Sequence, residues 1–425
     1  MNNKGKKPLV PKLRFPGFTD EWAYKPLSKT LVEHKLKNSS RRDVFSVSME
    51  SGIVNQIEHL GRSFAASDTS HYTVGRRFDI VYTKSPLKAF PFGIVKQCKF
   101  EGEVALSPLY GVFTPINPHV GLMIEAYFES PNRAASFLSP LCQKGAKNTL
   151  QITNTTFLSG RLPLPTDFSE QKKIADCLSS LDDLITAQAR KVDALRTHKK
   201  GLMQQLFPRE GETQPRLRFV EFQNAGGWNE GRLADIATVL QGYGFPERHQ
   251  GQTSGDYPFY KVSDISRSLG AGKVFIEESA NYINEGLLKE LRAKPIPEGT
   301  TIFAKIGEAI RSNKRAITTS PCLIDNNAAG VKRIKGKATD LFIYLLMEQI
   351  SLVDHAGGVV PAVNKSSIEE IAVKFPEPDE QDRIANCFTS LDELITAATQ
   401  ELETLKTYKK GLMQQLFPSA EAVEV

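Results

Sequence analysis

The chain has 425 residues, of which 40% are hydrophobic and 24% are charged, and it carries a net charge of +6. This composition is typical of a soluble globular protein and does not favour a disordered chain. The length predicts two or more domains, because one domain usually takes about 100 to 200 residues. The sequence has no apolar run long enough for a membrane span or a secretory signal, and no cysteine pair typical of zinc sites, so we expect a metal-free cytoplasmic protein.

The first long segment, about residues 12–165, combines short β-type runs with one helix. Residues 78–82 and 104–106 are predicted strands, residues 120–130 are a predicted helix, and Gly145 predicts a turn after it. This mixture predicts a domain that contains both strands and helices.

Basic residues are concentrated in that segment between positions 76 and 99, which hold six of them against one acid, Asp79. Any single lysine here is more often a solvated surface charge, but the density as a group favours contact with DNA phosphates. The candidate DNA-binding residues of the first segment are Arg76, Arg77, Lys84, Lys88 and Lys96.

The next segment, residues 166–208, is predicted to form one long helix. Its apolar residues recur alternately every four and every three positions from Ile174 to Leu206, a heptad pattern typical of a coiled coil. Pro165 and Pro208 lie at its two ends, as expected from the effect of proline on helices. From Ile174 to Leu206 the helix would be about 50 Å long, roughly one to one and a half turns of B-DNA. The predicted seam residues are Ile174, Leu178, Leu181, Ile185, Val192, Leu195, Leu202 and Leu206.

The second long segment, about residues 216–376, differs in sequence from the first but follows the same plan. Its predicted elements are strands at 259–262, 301–303 and 330–334, a helix at 340–354 and a turn at 357–358. Residues 304–337 hold eight basic residues against two acids. The candidate DNA-binding residues of this segment are Lys261, Lys305, Arg311, Lys314, Arg315, Lys332 and Arg333.

The last segment, residues 377–418, repeats the first long helix. Residues 380–418 match residues 170–208 at a constant offset of 210, with 24 of 39 positions identical. The second helix therefore has the same heptad pattern and also needs a partner helix. Its predicted seam residues are Ile384, Phe388, Leu391, Ile395, Leu402, Leu405, Leu412 and Leu416.

A second, weaker sequence repeat precedes each of the two helix copies. Residues 11–15 read PKLRF and residues 215–219 read PRLRF, and each run is followed by a tryptophan, Trp22 and Trp228. The whole half-chain is therefore duplicated, and a repeat of this length fixes the architecture more firmly than a single motif does.

Each heptad seam contains one lysine, Lys199 or Lys409, although an unpaired buried ammonium is costly. If the two helices pair antiparallel, Lys199 lies near the acids at 392–393 and Lys409 near the acids at 182–183. Alternatively, both lysines extend their charged ends to water. The sequence leaves these two possibilities open.

Motifs for catalysis are missing from the sequence. There is no glycine-rich cofactor loop and no phosphate-binding loop, and Pro321-Cys322 is a bare dipeptide without a cofactor loop before it. A nuclease motif could begin with Pro-Asp-Glu at 378–380, but it lacks an acid-x-Lys partner, and a role at the helix start explains those carboxylates better. We therefore predict no catalytic residue and no enzyme activity for this chain.

The sequence resembles the specificity subunits of type I restriction-modification enzymes over nearly its entire length. In that family, as here, a diverged domain precedes a preserved helix twice. The residues that carry the resemblance are Leu-Pro at 164–165 before EQKKIA at 170–175, Phe-Pro at 375–376 before EQDRIA at 380–385, the KKGLMQQLFP endings, and YPFYKVSDI at 257–265.

The resemblance implies an α+β fold with an internal pseudo-two-fold repeat. Two mixed α/β target-recognition domains, at 12–165 and 216–376, would be separated by two long antiparallel coiled-coil helices, at 166–208 and 377–418. Each domain would read one half of a bipartite site in double-stranded DNA, and the helices would set the gap between the half-sites.

The resemblance also implies partners. Two methyltransferase (M) subunits and restriction (R) motor-nuclease subunits would join the chain, and they would bind S-adenosylmethionine, ATP and magnesium, with no cofactor in this chain. Leucine and methionine residues beside the seam could form the docking surface for partner helices, or could belong to the core of the chain. These residues are Leu184, Met203, Leu394 and Met413.

Two functions of other classes stay open at this point. One is a self-contained site-specific nuclease, which would need a cluster of metal-binding acids. The other is a DNA-binding regulator that uses a coiled coil for spacing. Neither of these would require a methyltransferase subunit as a partner.

Overall fold

The computed structural model describes residues 9–144 and 150–418, so the turn predicted at Gly145 lies outside the described residues. The chain forms two compact units, the first made of Met1–Ala189 and Glu401–Val425 and the second of Arg190–Gln400. Each unit therefore contains the beginning of one long helix and the end of the other. The domain bounds proposed from the sequence stay predictions.

The first unit is built around two four-stranded sheets. Its strands are β1 (Ala23–Pro26), β2 (Leu31–Glu33), β3 (Val44–Ser48), β4 (Gly52–Asn55), β5 (Thr73–Arg76), β6 (Ile80–Thr83), β7 (Ile94–Gln97), β8 (Glu103–Leu106), β9 (Gly111–Pro115), β10 (Gln143–Lys144), β11 (Leu150–Gln151) and β12 (Arg161–Leu164). The sheet orders are β2-β9-β6-β7 and β4-β3-β8-β5, with only the β3–β8 pair parallel among these strands, and β1–β12 and β10–β11 form two further pairs.

The helices of the first unit cover these sheets and complete its core. They are α1 (Gln56–Leu60), α2 (Pro118–Phe128), α3 (Pro131–Leu138), α4 (Asn154–Ser159) and the beginning of α5 (Phe168–Leu206). Helix α2 packs against β7 and is buried on nearly all sides, which explains its apolar sequence. The helix predicted at 120–130 ends at Phe128, because Ser130 caps a new helix that has Pro131 in its first turn.

The second unit contains a five-stranded sheet and a three-stranded sheet. Its strands are β13 (Asn229–Arg232), β14 (Ala237–Gln241), β15 (Tyr257–Tyr260), β16 (Phe275–Ile276), β17 (Tyr282–Ile283), β18 (Thr301–Ala304), β19 (Arg315–Thr318), β20 (Leu323–Ile324), β21 (Ala328–Arg333) and β22 (Ala372–Phe375). The sheet orders are β14-β21-β18-β19-β16 and β17-β15-β20, and β13 pairs with β22.

The second unit, like the first, also contains short helices and the beginning of one long helix. They are α6 (Leu233–Ile236), α7 (Val262–Gly270), α8 (Glu285–Glu290), α9 (Asp340–Gln349), α10 (Lys365–Glu369) and the beginning of α11 (Pro378–Leu416). The predicted helix at 340–354 ends at Gln349, and a separate 3-10 turn, Leu352–His355, follows it.

All five predicted strands begin or end at other residues in the structure, and for two of them the backbone gives the reason. The strand predicted at 78–82 begins at Ile80, because Phe78 has a φ of 73°, which does not fit a strand. The strand predicted at 259–262 ends at Tyr260, because Val262 already starts helix α7. The kind of element was therefore predicted better than its bounds.

The long helices α5 and α11 confirm the heptad prediction, since each runs over 39 residues. Every predicted seam residue is buried or half-buried. In the first unit the beginning of α5 runs antiparallel to the end of α11, because Gln188 bonds to Glu401 and Asp182 pairs with Lys409. The predicted fold class, two mixed α/β domains with two long antiparallel helices and an internal repeat, is confirmed.

Both seam lysines form ion pairs inside their own unit, which confirms the antiparallel pairing. Lys199 Nζ lies 2.7 Å from Asp392 Oδ1 in the second unit. In the first unit Lys409 Nζ lies 2.6 Å from Asp182 Oδ1 and 2.7 Å from Glu129 Oε2. Burial alone would lower the pKa of Lys409, but these two carboxylates raise it above its usual value. The alternative, in which both lysines extend to water, is wrong.

A buried glutamate joins the start of α5 to the PKLRF run in the first unit. Arg14 donates two hydrogen bonds to the carboxylate of Glu170, at 2.7 and 2.9 Å, and Trp22 Nε1 donates a third at 3.2 Å. The ring of Phe417, just after the end of α11, meets the Trp22 ring edge-on with 6.0 Å between centroids. We call this group of four residues the first junction.

The second unit repeats this junction with the equivalent residues. Arg218 donates bonds of 2.8 and 2.6 Å to Glu380, Trp228 Nε1 donates one of 3.4 Å, and Phe207 meets the Trp228 ring edge-on. We call these four residues the second junction. Glu380 lies in the first turn of α11, as the sequence predicts, and its buried carboxylate is also bound by Arg218.

Candidate nucleic-acid interface

Four of the five basic residues predicted to bind DNA in the first unit lie at its surface. Arg76 and Arg77 are exposed, and each pairs with an exposed glutamate near the start of β8. Lys84 and Lys88 are exposed in the loop between β6 and β7. A pair between exposed charges is weak, so these side chains can exchange their partner for a phosphate at little cost.

Lys96 differs from the other four because it is buried on strand β7. Its Nζ lies 3.2 Å from Glu129 Oε1 and 3.5 Å from Glu125 Oε1, and both glutamates come from the α2 region. The ammonium therefore neutralises carboxylates inside the unit and is shielded from DNA. Lys96 is not a candidate DNA contact in this structure.

Arg315 is the corresponding exception in the second unit. Its guanidinium is buried, donates to the carbonyl oxygens of Met347 at 3.3 Å and Ile350 at 3.2 Å, and bonds to Asn313 Oδ1 at 2.6 Å. Burial lowers the pKa of Arg315 to about 10. The side chain holds α9 to the sheet, so it is not a candidate DNA contact either.

The other basic residues predicted on the 304–337 segment keep some exposure. Arg311 and Lys314 are exposed on the segment between β18 and β19. Lys332 and Arg333 are half-buried and share the carboxylate of Asp340, at 2.8 and 3.2 Å. A DNA-binding role for these four residues stays a prediction, as it does for the surface residues of the first unit.

The two remaining predicted lysines, Lys261 and Lys305, meet polar side chains at one edge of the sheets in the second unit. Strands β14, β15, β18 and β20 all end there, and a turn leads from β20 into β21. The backbone N–H of Asp325 donates to Tyr260 O at 3.0 Å, and that of Lys305 donates to Asn327 O at 2.9 Å. We call the six side chains gathered here the strand-end cluster. Its members are Gln241, Gln250, Lys261, Lys305, Asp325 and Asn327.

Both lysines of the strand-end cluster donate to neutral amides. Lys261 Nζ donates to Gln250 Oε1, and Lys305 Nζ donates to Gln241 Oε1. Each ammonium has three donors, so each lysine keeps hydrogen-bonding capacity after this bond. Burial lowers the pKa of Lys305, although the charge of Asp325 opposes that change.

Asp325 lies almost buried at the centre of the strand-end cluster, with 7% of its surface exposed. Its Oδ1 accepts the backbone N–H of Asn327 at 3.2 Å, and its Oδ2 lies 3.4 Å from the Asn327 side-chain nitrogen. Burial raises the pKa of Asp325, and the hydrogen bonds from Asn327 and the charge of Lys261 oppose that rise. The carboxylate thus fixes the exposed amide of Asn327.

Gly242 permits the backbone approach that brings Gln241 to this edge. A Cβ on Gly242 would lie 1.8 Å from the carbonyl oxygen of Asp325, a distance that no side chain tolerates. The following residue, Tyr243, donates its backbone N–H to Ile324 O at 2.9 Å. The β14 end is therefore held directly against the turn after β20.

Sequence reasoning identified the two lysines of the strand-end cluster but missed its four other members. Asparagine and glutamine are the side chains that pair with adenine, so an amide beside a predicted strand end was an available signal. The convergence itself could not be read from the sequence, because the strands are brought together by pairings across more than 60 residues, such as β15 with β20.

Exposed leucines occupy equivalent places in both units. Leu184 is 57% exposed and Leu394 is 56% exposed, whereas Met203 and Met413 are 7% and 6% exposed and belong to the core. The two methionines therefore belong to the core of the chain, and a docking role for the two exposed leucines stays a prediction.

The two repeat runs also contain exposed leucines at equivalent positions, Leu13 and Leu217. Leu13 and Leu184 line one apolar groove of the first unit, and the backbone N–H groups of Leu13 and Leu217 donate to equivalent glutamine carbonyls at the ends of the long helices. We call Leu13 with Leu184, and Leu217 with Leu394, the two leucine patches.

Across residues 9–144 and 150–418, no group of three or more histidine, cysteine, aspartate or glutamate side chains could hold a metal ion. Within the same ranges, no helix is long and apolar enough to cross a membrane. The strand-end cluster offers ammonium and amide groups for hydrogen bonding.

A sequence model of the family described as the type I restriction modification DNA specificity domain matches residues 93–196 and 225–407. The two stretches together cover more than half of the chain. The chain belongs to this family. The resemblance stated from the repeat and its motifs is therefore confirmed, and with it the predicted function in DNA sequence specificity.

Two curated specificity subunits from Methanocaldococcus jannaschii are similar to this chain. The putative type I restriction enzyme MjaX specificity subunit is 24% identical over 317 residues, which cover 71% of this chain and 67% of the relative. The type I restriction enzyme MjaIX specificity subunit is 24% identical over 279 residues, which cover 64% of this chain and 63% of the relative. The chain thus spans about two thirds of the length of the curated relatives it matches.

Two solved structures are similar in fold to this chain. The S subunit of a type I restriction-modification system from M. genitalium aligns with a TM-score of 0.57 at 12% identity, covering 97% of this chain and 100% of that one. A chain from a study of complex assembly and conformational transition in the type I system aligns with a TM-score of 0.51 at 13% identity, covering 94% and 98%.

Proposed function

We propose that this chain is the sequence-reading subunit of a type I restriction-modification enzyme. Each unit binds one half of a bipartite site in double-stranded DNA, and partner subunits methylate adenine and cut the DNA. The observation that carries the proposal is the match of one DNA specificity family to both halves of the chain. The duplicated junctions support it, because they build two units of the same plan from one chain.

In this proposal the chain itself catalyses no reaction. Its buried junction glutamates, Glu170 and Glu380, are each bound by an arginine and a tryptophan, which is a structural use of a carboxylate. S-adenosylmethionine, ATP and magnesium would be bound by the partner subunits. A purified chain that cuts DNA with magnesium alone would contradict this part of the proposal.

The leucine patches support two docking sites for one kind of partner. A leucine more than half exposed on a long helix leaves apolar surface in water, and burial of such surface favours association. Because the same surface occurs once in each unit, two copies of one partner can bind in equivalent ways. We assign these sites to the two methyltransferase subunits.

Methylation mapping tests the main proposal. Host DNA is sequenced for methylated adenine with the gene intact and with the gene deleted. The expected result is a bipartite, asymmetric motif that loses its methylation when the gene is deleted. An unchanged methylation pattern would refute the proposal.

The docking sites are tested by the mass of the complex with the methyltransferase subunit. Leu184→Asp or Leu394→Asp alone should reduce the complex from two methyltransferase subunits to one, and the double variant should abolish binding. Leu109→Asp is the matched control, because Leu109 is an exposed leucine of a loop, outside the patches. Two subunits bound to the double variant would refute the assignment.

A further inference from the structure

The strand-end cluster combines the functional groups that read base edges. Guanine presents two acceptors, O6 and N7, in the major groove, and adenine presents an acceptor beside a donor. Lysine donors fit the first pattern and an amide fits the second. The cluster places Lys261, Lys305 and the exposed amide of Asn327 together at one edge of the sheets.

The charge balance of the strand-end cluster favours an acceptor ligand. The predicted basic residues Arg76, Arg77, Lys332 and Arg333 each have a carboxylate within 3.2 Å. The two cluster lysines instead donate to glutamine oxygens, and the carboxylate nearby is bonded to Asn327. The remaining N–H donors of the two lysines are therefore not used in a salt bridge and can bind an acceptor of the ligand.

The rigidity of this site favours bases over phosphates. A side chain that selects a base must be held in a defined geometry, whereas a phosphate contact tolerates a mobile side chain. Gln241 and Gln250 hold the two lysines, Asp325 holds Asn327, and Gly242 fixes the strand end beneath them.

We propose that the strand-end cluster is the base-reading site of the second unit, with Lys261 and Lys305 donating to guanine and Asn327 pairing with adenine. This inference rests on the proposed function and adds the residues that determine the specificity of one half-site. Arg311 and Lys314, which follow Lys305 in the chain, are exposed and basic, so we assign them to the adjoining phosphates.

The test uses the full chain in complex with its methyltransferase subunit. Adenine methylation motifs are mapped for the wild type and for Lys261→Gln, Lys305→Gln and Asn327→Ala. Each variant should relax or change one or two positions in one half of the motif, while the other half and the spacer length stay the same. Lys305→Arg keeps donors at the same place and should keep the base preference there.

A binding assay gives the size of the effect. The probes are one duplex with the mapped motif and one duplex with a single base pair of the affected half exchanged. For Lys305→Gln the preference between the two duplexes should fall by about tenfold to a hundredfold at constant salt. Lys289→Gln is the control, because it removes one charge from an exposed residue of helix α8 outside the cluster and should leave the preference unchanged.

The outcomes separate the two levels of inference. A wild-type complex that methylates no bipartite motif would refute the proposed function itself. A wild-type motif that stays the same in all three cluster variants, each shown to be folded and bound to the methyltransferase subunit, would refute only the base-reading site. An equal loss of affinity for both duplexes, with a weaker salt dependence, would identify the cluster as a phosphate site and would also overturn the inference.

Discussion

Replacement of Glu380 by glutamine should destabilise the second unit while leaving its shape nearly unchanged. The two side chains have the same size, but glutamine carries no charge and offers one acceptor oxygen in place of two. One of the two bonds from Arg218 is therefore lost, and an amide N–H group faces the guanidinium. The remaining contacts of Arg218, with the carbonyl oxygens of Ala225 and Gly226, do not neutralise its charge.

The size of this effect follows from the burial of the second junction. The side chains of Arg218 and Glu380 are only 9% and 3% exposed, so water screens the pair little. A hydrogen bond to a charged group contributes about 1.5 to 3 kcal/mol, and breaking a buried ion pair by removing one partner costs about 3 to 5 kcal/mol. Because glutamine keeps one bond and the packing, we expect the free energy of unfolding to fall by about 2 to 4 kcal/mol.

The assay uses the fact that the chain has two tryptophans, one in each junction. In a Trp22→Phe background the fluorescence of Trp228 reports the second unit alone during urea unfolding. With a urea dependence of about 2 kcal/mol per molar, the midpoint should fall by about 1 to 2 M in Glu380→Gln. Glu170→Gln, followed by Trp22 in a Trp228→Phe background, should give a shift of similar size in the first unit.

A shift below about 0.5 M would refute the argument that the buried junction pair stabilises the unit. A Glu380→Gln variant that shifts the signal of Trp22 as much as that of Trp228 would also contradict it, because each glutamate contacts one tryptophan only.

Lys199→Glu should destabilise the second unit by about 1 to 2 kcal/mol, because it brings two acids together in a half-buried seam. Adding Asp392→Lys should restore part of this loss in the same urea assay. A double variant that is no more stable than Lys199→Glu would contradict the pairing. Acid should destabilise the first unit: burial raises the pKa of Glu129, but its two neighbouring lysines outweigh burial and the net pKa is lowered. The stabilising contribution of Glu129 is thus present above its pKa in the unfolded state and is lost as pH falls through its pKa in the folded state. The thermal unfolding temperature should therefore depend less on pH in Glu129→Gln than in the wild type. An identical pH profile in the two proteins would contradict this role of Glu129. A fragment of residues 1–208 should form a homodimer, because the end of α5 repeats the end of α11 that completes the first unit; a monomeric mass in light scattering would refute this.

The long helices were the most predictable part of the fold, because a heptad pattern is a local property of the sequence. The pairing of Lys199 with Asp392 followed from the same pattern, since antiparallel helices at a constant offset bring fixed positions together. The partner Glu129 of Lys409 could not be found in this way, because it comes from the end of α2 and not from the seam.

The sequence predicts where basic residues are concentrated better than it predicts which of them are buried. Lys96 and Arg315 have the same local context as their exposed neighbours, but each lies on a strand that helix α2 or α9 covers. Burial of a charge depends on the partners that tertiary structure brings to it, as Glu125 and Glu129 do for Lys96. A sequence pattern without long-range contacts cannot distinguish such a residue from a DNA ligand.

The contact between Trp22 and Phe417 determines which unit is completed first during synthesis. The second unit is one continuous stretch of chain, whereas the first unit needs residues from both ends. At about 5 to 20 residues per second, roughly 10 to 40 s separate the emergence of the two parts of the first unit from the ribosome. The first unit starts to emerge before the second but is completed after it, and until then a nascent chain exposes the apolar face that α11 will cover.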